Sequence, residues 1–85
     1  MLLAIDIGNT NTTLGVFEGD EIRATFRLAT HVSQMPDEYA VYIMNLLRHR
    51  EIETSGITEG AISCVVPPLT TTFTEMFQKY FNITP

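Results

Sequence analysis

Asp6 and the turn Gly8-Asn9-Thr10-Asn11 are the residues of this 85-residue chain whose types and spacing could do chemistry. An apolar run, Leu2-Leu3-Ala4-Ile5, delivers one carboxylate to the rim of a sheet, and a tight polar turn opens beside it. Gly8 has no Cβ, so backbone can approach a ligand closely there or take a positive φ. Successive N–H groups of such a turn can point inward as an anion-binding nest, which suits a phosphate. Asp6 would repel that phosphate unless a cation stood between them. Magnesium is the natural mediator, because it takes oxygen ligands, keeps several waters and bridges one or two carboxylates to substrate phosphates. The same residues also describe an ordinary hairpin turn in which Asn and Gly serve backbone conformation. The turn alone leaves both readings open.

The elements that must position these residues follow from the hydrophobic pattern. Leu2 to Ile7 is apolar apart from Asp6, the pattern of a central strand covered on both faces. Thr12 to Phe17 is a second strand, closed by the turn Glu18-Gly19-Asp20-Glu21. From Ile22 the alternation puts Ile22, Ala24, Phe26 and Leu28 on one side and Arg23, Thr25 and Arg27 on the other, a half-buried third strand near the edge. Short turns make these three an antiparallel meander.

Pro36-Asp37-Glu38 opens a helix, since proline is tolerated at the first helical position and acids complement the positive end of the dipole. Its expected apolar face is Tyr39, Tyr42, Ile43, Leu46 and Leu47, and Arg48, His49 and Arg50 close it. Ala61 to Val66 reads as a second buried strand, stopped by Pro67-Pro68. Leu69, Phe73, Met76, Phe77, Tyr80 and Phe81 trace a second amphipathic helix with Asn82 as its C′ residue. A parallel crossover then gives an α/β fold, βββαβα, with a mixed sheet in the order 3-2-1-4. Ile83-Thr84-Pro85 reads as the start of a further strand, so the chain is expected to be an N-terminal fragment of a domain.

Composition narrows the function classes. The net charge is −5, and Arg23, Arg27, Arg48, Arg50 and Lys79 form no basic stripe, which argues against nucleic acid. Cys64 is the single cysteine, so neither an internal disulfide nor a thiolate cluster is available, and its apolar neighbours suggest a buried, inert thiol. His31 and His49 have no metal-ligand spacing and read as solvated. The leading apolar run ends at Asp6, too soon for a signal peptide or a membrane span. A soluble, cytoplasmic protein with no membrane partner is the expectation.

Asp6-Ile7-Gly8-Asn9-Thr10-Asn11 resembles the first phosphate motif of the type III pantothenate kinases, members of the superfamily of acetate and sugar kinases, heat-shock chaperone ATPases and actin. Arg27-Leu28-Ala29-Thr30, Asp37-Glu38-Tyr39, Ser63-Cys64-Val65-Val66-Pro67-Pro68-Leu69 and Gln78-Lys79-Tyr80-Phe81 resemble further family blocks in the family's order, so the likeness runs along the whole chain. Met35 departs from it, standing where the family often has a Thr able to cap the following helix.

The resemblance implies half of a ribonuclease H-like, actin-like ATPase domain: residues 1–85 as the N-terminal part of the first lobe, incomplete at its end, with the second lobe absent. It implies ATP-dependent phosphorylation of pantothenate to 4′-phosphopantothenate, the first step of coenzyme A synthesis. Asp6, Ile7, Gly8, Asn9, Thr10, Asn11, Thr12 and Thr13 become the cofactor-binding stretch, and Asp6 the magnesium ligand. The general base, an Asp in a Gly-x-Asp-Arg block, is expected downstream, so no catalytic residue is assigned within these residues. A potassium or ammonium site and a homodimer are implied as well. Two rivals are a ribonuclease H-like metal-dependent nuclease, with Glu38 as the nearest second carboxylate, and a non-enzymatic accessory factor for transcription.

Overall fold

The computed structural model describes residues 1–85. Three antiparallel strands come first, β1 (Leu2–Ile7), β2 (Asn11–Glu18) and β3 (Glu21–Ala29), followed by helix α1 (Pro36–His49). A single 3₁₀ turn at Thr54–Gly56 leads into β4 (Glu59–Cys64), then α2 (Pro67–Met76), which runs on into a π-helical segment, Phe77–Phe81. The sheet order is β3-β2-β1-β4, with β4 parallel to β1. This is the expected 3-2-1-4 order, and the α/β arrangement is that of a partial actin-like ATPase fold.

Both helices pack on one face of the sheet. Leu3, Ile5 and Ile7 of β1 join Leu14 and Val16 of β2 in a core completed by Tyr39, Ile43 and Leu47 of α1 and Leu69, Phe73 and Met76 of α2. The opposite face stays open: Leu2 and Ala4 are half-buried, and Asp6, Thr13, Ala61 and Ser63 are exposed. The expectation that β1 and β4 are covered on both faces is therefore corrected, because α1 and α2 lie on the same side. Phe17 supplies the one local cover, laying its ring over Gly15.

Three further expectations shift. Ile22 is 63% exposed, because a β-bulge between Val16 and Phe17 pairs it with Phe17 on the open face instead of leaving it beside Ala24. Tyr42 is exposed and donates nothing to the core; its hydroxyl takes a hydrogen bond from the Gln34 side chain at 3.3 Å. The fourth strand runs Glu59–Cys64 rather than 61–66. Beyond it the Cys64 thiol turns onto the backbone of Val66, so Cys64 is half-buried and locally bonded rather than fully enclosed. Pro67 and Pro68 then do two things at once: they end the strand and occupy the first turn of α2, where a missing N–H is harmless.

The ends of the second helical unit follow the sequence. Asn82 takes the left-handed conformation, φ 56° and ψ 42°, that a C′ asparagine supplies. At the start of α1, Met35 cannot cap with its side chain. The Glu38 carboxylate instead accepts the Met35 N–H at 2.9 Å, the half of a capping box that remains.

Candidate nucleotide site

Asp6 lies on the open face of the central strand, one residue from its end. Its neighbours in register are Thr13 on β2 and Ser63 on β4, so two hydroxyl-bearing side chains flank the carboxylate on the exposed side. Residues directly opposite in a sheet bring their Cβ atoms to about 5 Å. Ser63, part of a family block in the sequence, was not among the expected site residues, because only the pairing register of the parallel strand places it beside Asp6. The Asp6 carboxylate makes no hydrogen bond or ion pair.

The turn from Gly8 to Asn11 is closed from inside. The Gly8 N–H donates to the Asn11 carbonyl at 3.0 Å, and a Cβ built on Gly8 would sit 3.0 Å from that same oxygen. Gly8 does not have a positive φ; its lack of a side chain is needed for the close approach of its own turn. Its amide is thereby occupied, which leaves the N–H groups of Asn9 and Thr10 as backbone donors without a backbone partner. The side chains of Asn9, Thr10 and Asn11 are exposed around them.

The expected stretch of site residues is divided by the sheet. Asp6, Asn9, Thr10, Asn11 and Thr13 are exposed at this end of the sheet, whereas Ile7 and Thr12 turn into the core, both 0% exposed. Thr12 is the one buried polar residue that is not aromatic, and its Oγ1 lies 2.8 Å from that of Thr30. Thr30 also donates its N–H to the Thr10 carbonyl at 2.9 Å. Thr30, just after β3, thus grips the chain at two points, one on the turn and one just past it. These contacts are invisible to the sequence, which gives Thr30 no more weight than its neighbours.

The lone carboxylate beside free amides fits magnesium as a mediator, since that ion needs only one or two protein carboxylates and completes its shell with water and phosphate oxygens. Glu38 does not join Asp6, being held at the start of α1. A second polar cluster lies elsewhere on the surface: Asp37 accepts hydrogen bonds from Tyr80 at 2.6 Å and Lys79 at 2.9 Å, joining α1 to the π-helical segment. The Tyr80 hydrogen bond, then the Lys79 ammonium, holds the Asp37 carboxyl below its ordinary range, and Asp37 in turn raises both partners.

A sequence profile of the type III pantothenate kinases matches residues 2–85. The chain belongs to the type III pantothenate kinase family. It is 44% identical over 84 residues to a type III pantothenate kinase of Dehalococcoides mccartyi (strain CBDB1), covering 99% of this chain and 32% of that protein. It is 44% identical over 85 residues to that of Myxococcus xanthus (strain DK1622), covering 100% of this chain and 33% of the relative. It is 45% identical over 85 residues to that of Roseiflexus castenholzii (strain DSM 13941 / HLO8), again covering 33% of the relative. The chain spans about a third of the length of these type III pantothenate kinases. The profile takes in the turn, the Thr30 block and the Asp37 and Lys79 blocks together. No helix is long and apolar enough to cross a membrane.

Proposed function

We propose that a chain of the relatives' length carrying these residues phosphorylates pantothenate with ATP, giving 4′-phosphopantothenate for coenzyme A synthesis. Residues 1–85 are then the N-terminal part of the first ribonuclease H-like lobe, and the second lobe belongs to the remainder. The observation that carries the reading is the placement of Asp6 on the rim beside the free N–H groups of Asn9 and Thr10, in a chain that matches this family end to end.

Phosphoryl transfer is mostly positioning and electrostatic stabilisation. In this reading the Asn9 and Thr10 amides and the exposed Thr10 hydroxyl receive phosphate oxygens of ATP, with Asn11 and Thr13 at the margin. Asp6 holds magnesium directly or through water. The ion, when bound, offsets charge on the phosphate oxygens. Gly8, Ile7 and Thr12 shape the turn from below. The general base, the pantothenate pocket, a monovalent cation site, a homodimer interface and a cytoplasmic location are proposals carried by family membership alone.

The nuclease reading is weaker, because two-metal chemistry clusters carboxylates and Glu38 is engaged with Met35. The accessory-factor reading has no feature of the site in its favour. Turnover of pantothenate by a chain of kinase length with magnesium and ATP tests the proposal. Formation of 4′-phosphopantothenate supports it; nucleotide binding without that product refutes the substrate assignment.

A further inference from the structure

The core encloses two hydroxyl groups, those of Tyr39 and Thr12, and both belong to a path of hydrogen bonds that ends at the Gly8 to Asn11 turn. A buried hydroxyl is costly unless it is bonded, and Phe and Val would fill the same volumes without that cost. The Tyr39 hydroxyl accepts the His31 N–H at 3.0 Å and donates to the His31 carbonyl at 2.9 Å, so it holds one residue of backbone in both directions. The preceding residue is Thr30. Its N–H holds the Thr10 carbonyl and its hydroxyl holds that of Thr12, one on the turn and one just past it. The Tyr39 ring is itself fixed against Phe73 of α2, with centroids 4.4 Å apart. Helix α1 is thereby connected to the turn through two consecutive residues, Thr30 and His31.

We propose that Thr30 and Tyr39 are positioning residues of the nucleotide site. Thr30 fixes the plane of the Thr10–Asn11 peptide and so anchors the end of the turn that carries the free N–H groups of Asn9 and Thr10, while Tyr39 keeps Thr30 in place. Neither side chain touches the ligand. The inference rests on the reading of the turn as a phosphate site, and it adds the residues that set the orientation of that site.

The test uses a chain of the relatives' length and compares Thr30→Val and Tyr39→Phe, which remove hydroxyls at nearly constant shape, with Thr30→Ser, which keeps one. Ile43→Val serves as a control, loosening α1 packing away from the path. Calorimetry gives the dissociation constant for ATP with magnesium, and steady-state kinetics give the KM of each substrate. Thr30→Val and Tyr39→Phe are expected to weaken ATP about tenfold, the equivalent of one modest interaction, with the KM for pantothenate unchanged. Thr30→Ser recovers wild-type ATP affinity, and Ile43→Val keeps it despite a lower melting temperature. Wild-type ATP affinity in both hydroxyl deletions, or an equal loss in Ile43→Val, overturns the positioning role. A wild-type chain that binds ATP without phosphorylating pantothenate refutes the substrate assignment and leaves the affinity comparison valid. A chain that binds no ATP overturns both.

Discussion

The ring of Phe77 lies so close to Gly60 that a Cβ built on the glycine would fall 2.6 Å from Phe77 Cε1. Strand β4 and the start of the π-helical segment therefore meet at a position where an added side chain would force Phe77 to shift. Phe77 is fully buried. Gly60→Ala is expected to cost about 1–3 kcal/mol through overpacking. Chemical denaturation measures it, and an unchanged midpoint would contradict the contact.

Asp6→Asn keeps shape and removes the charge. In a chain of kinase length it is expected to lower kcat/KM by on the order of 10²-fold or more, the scale of losing one aligned electrostatic contact. Circular dichroism and melting temperature should stay near wild type, because the Asp6 carboxylate supports no contact in the fold. Full turnover in this variant would remove Asp6 from the site.

Met35→Thr restores the missing half of the capping box at α1. Met35 already has extended backbone, φ −85° and ψ 161°, and Glu38 is already in place. A gain of about 1 kcal/mol is expected, read as a higher denaturation midpoint with unchanged ATP affinity. No gain would mean that the cap geometry differs from the one described.

The cluster of Asp37, Lys79 and Tyr80 predicts a pH dependence. A carboxyl held below its ordinary 3.8 contributes stability that is complete above that value and lost as pH falls through the lower folded value. Lys79 and Tyr80 are raised, so their contribution is complete at neutral pH and lost on the alkaline side of 10.5 and 10.0. Asp37→Asn should therefore melt below wild type near neutrality, with the gap closing in acid. Since all three groups are exposed, the gap should be small and shrink in salt. A constant gap from pH 7 to pH 2 would rule out the ionic contribution.

How much of this was legible in the sequence depends on the range of each interaction. The order of strands and the two amphipathic helices follow from alternation and spacing that Ile5, Phe73 and their neighbours display locally. Asn82 and Pro36 carry their conformations in their own covalent structure. Tyr42 was misplaced because helical spacing marks a broad face and does not show how far a neighbouring sheet reaches across it. The exposure of Ile22 depends on a bulge that no residue announces. Within the candidate site, the motif pointed to Asp6 and the turn, but Thr12 differs from Thr13 only in the side of the sheet it faces. Thr30 and Tyr39 became visible only when hydrogen bonds joined residues distant in sequence.

The closure of the turn from within, with its outer grip by Thr30 and Tyr39, has a consequence for the order in which the protein acquires its shape. Apart from Phe73, against which the Tyr39 ring packs, the groups that set the turn lie between Gly8 and Tyr39, and the hairpins that carry it pair neighbours along the chain. Pairing over short separations forms early, and domains emerge from the ribosome N-terminus first. The Gly8 to Asn11 turn is expected to begin taking its form while translation of the second helix is still under way, and Phe73 of that helix then fixes the Tyr39 ring behind it.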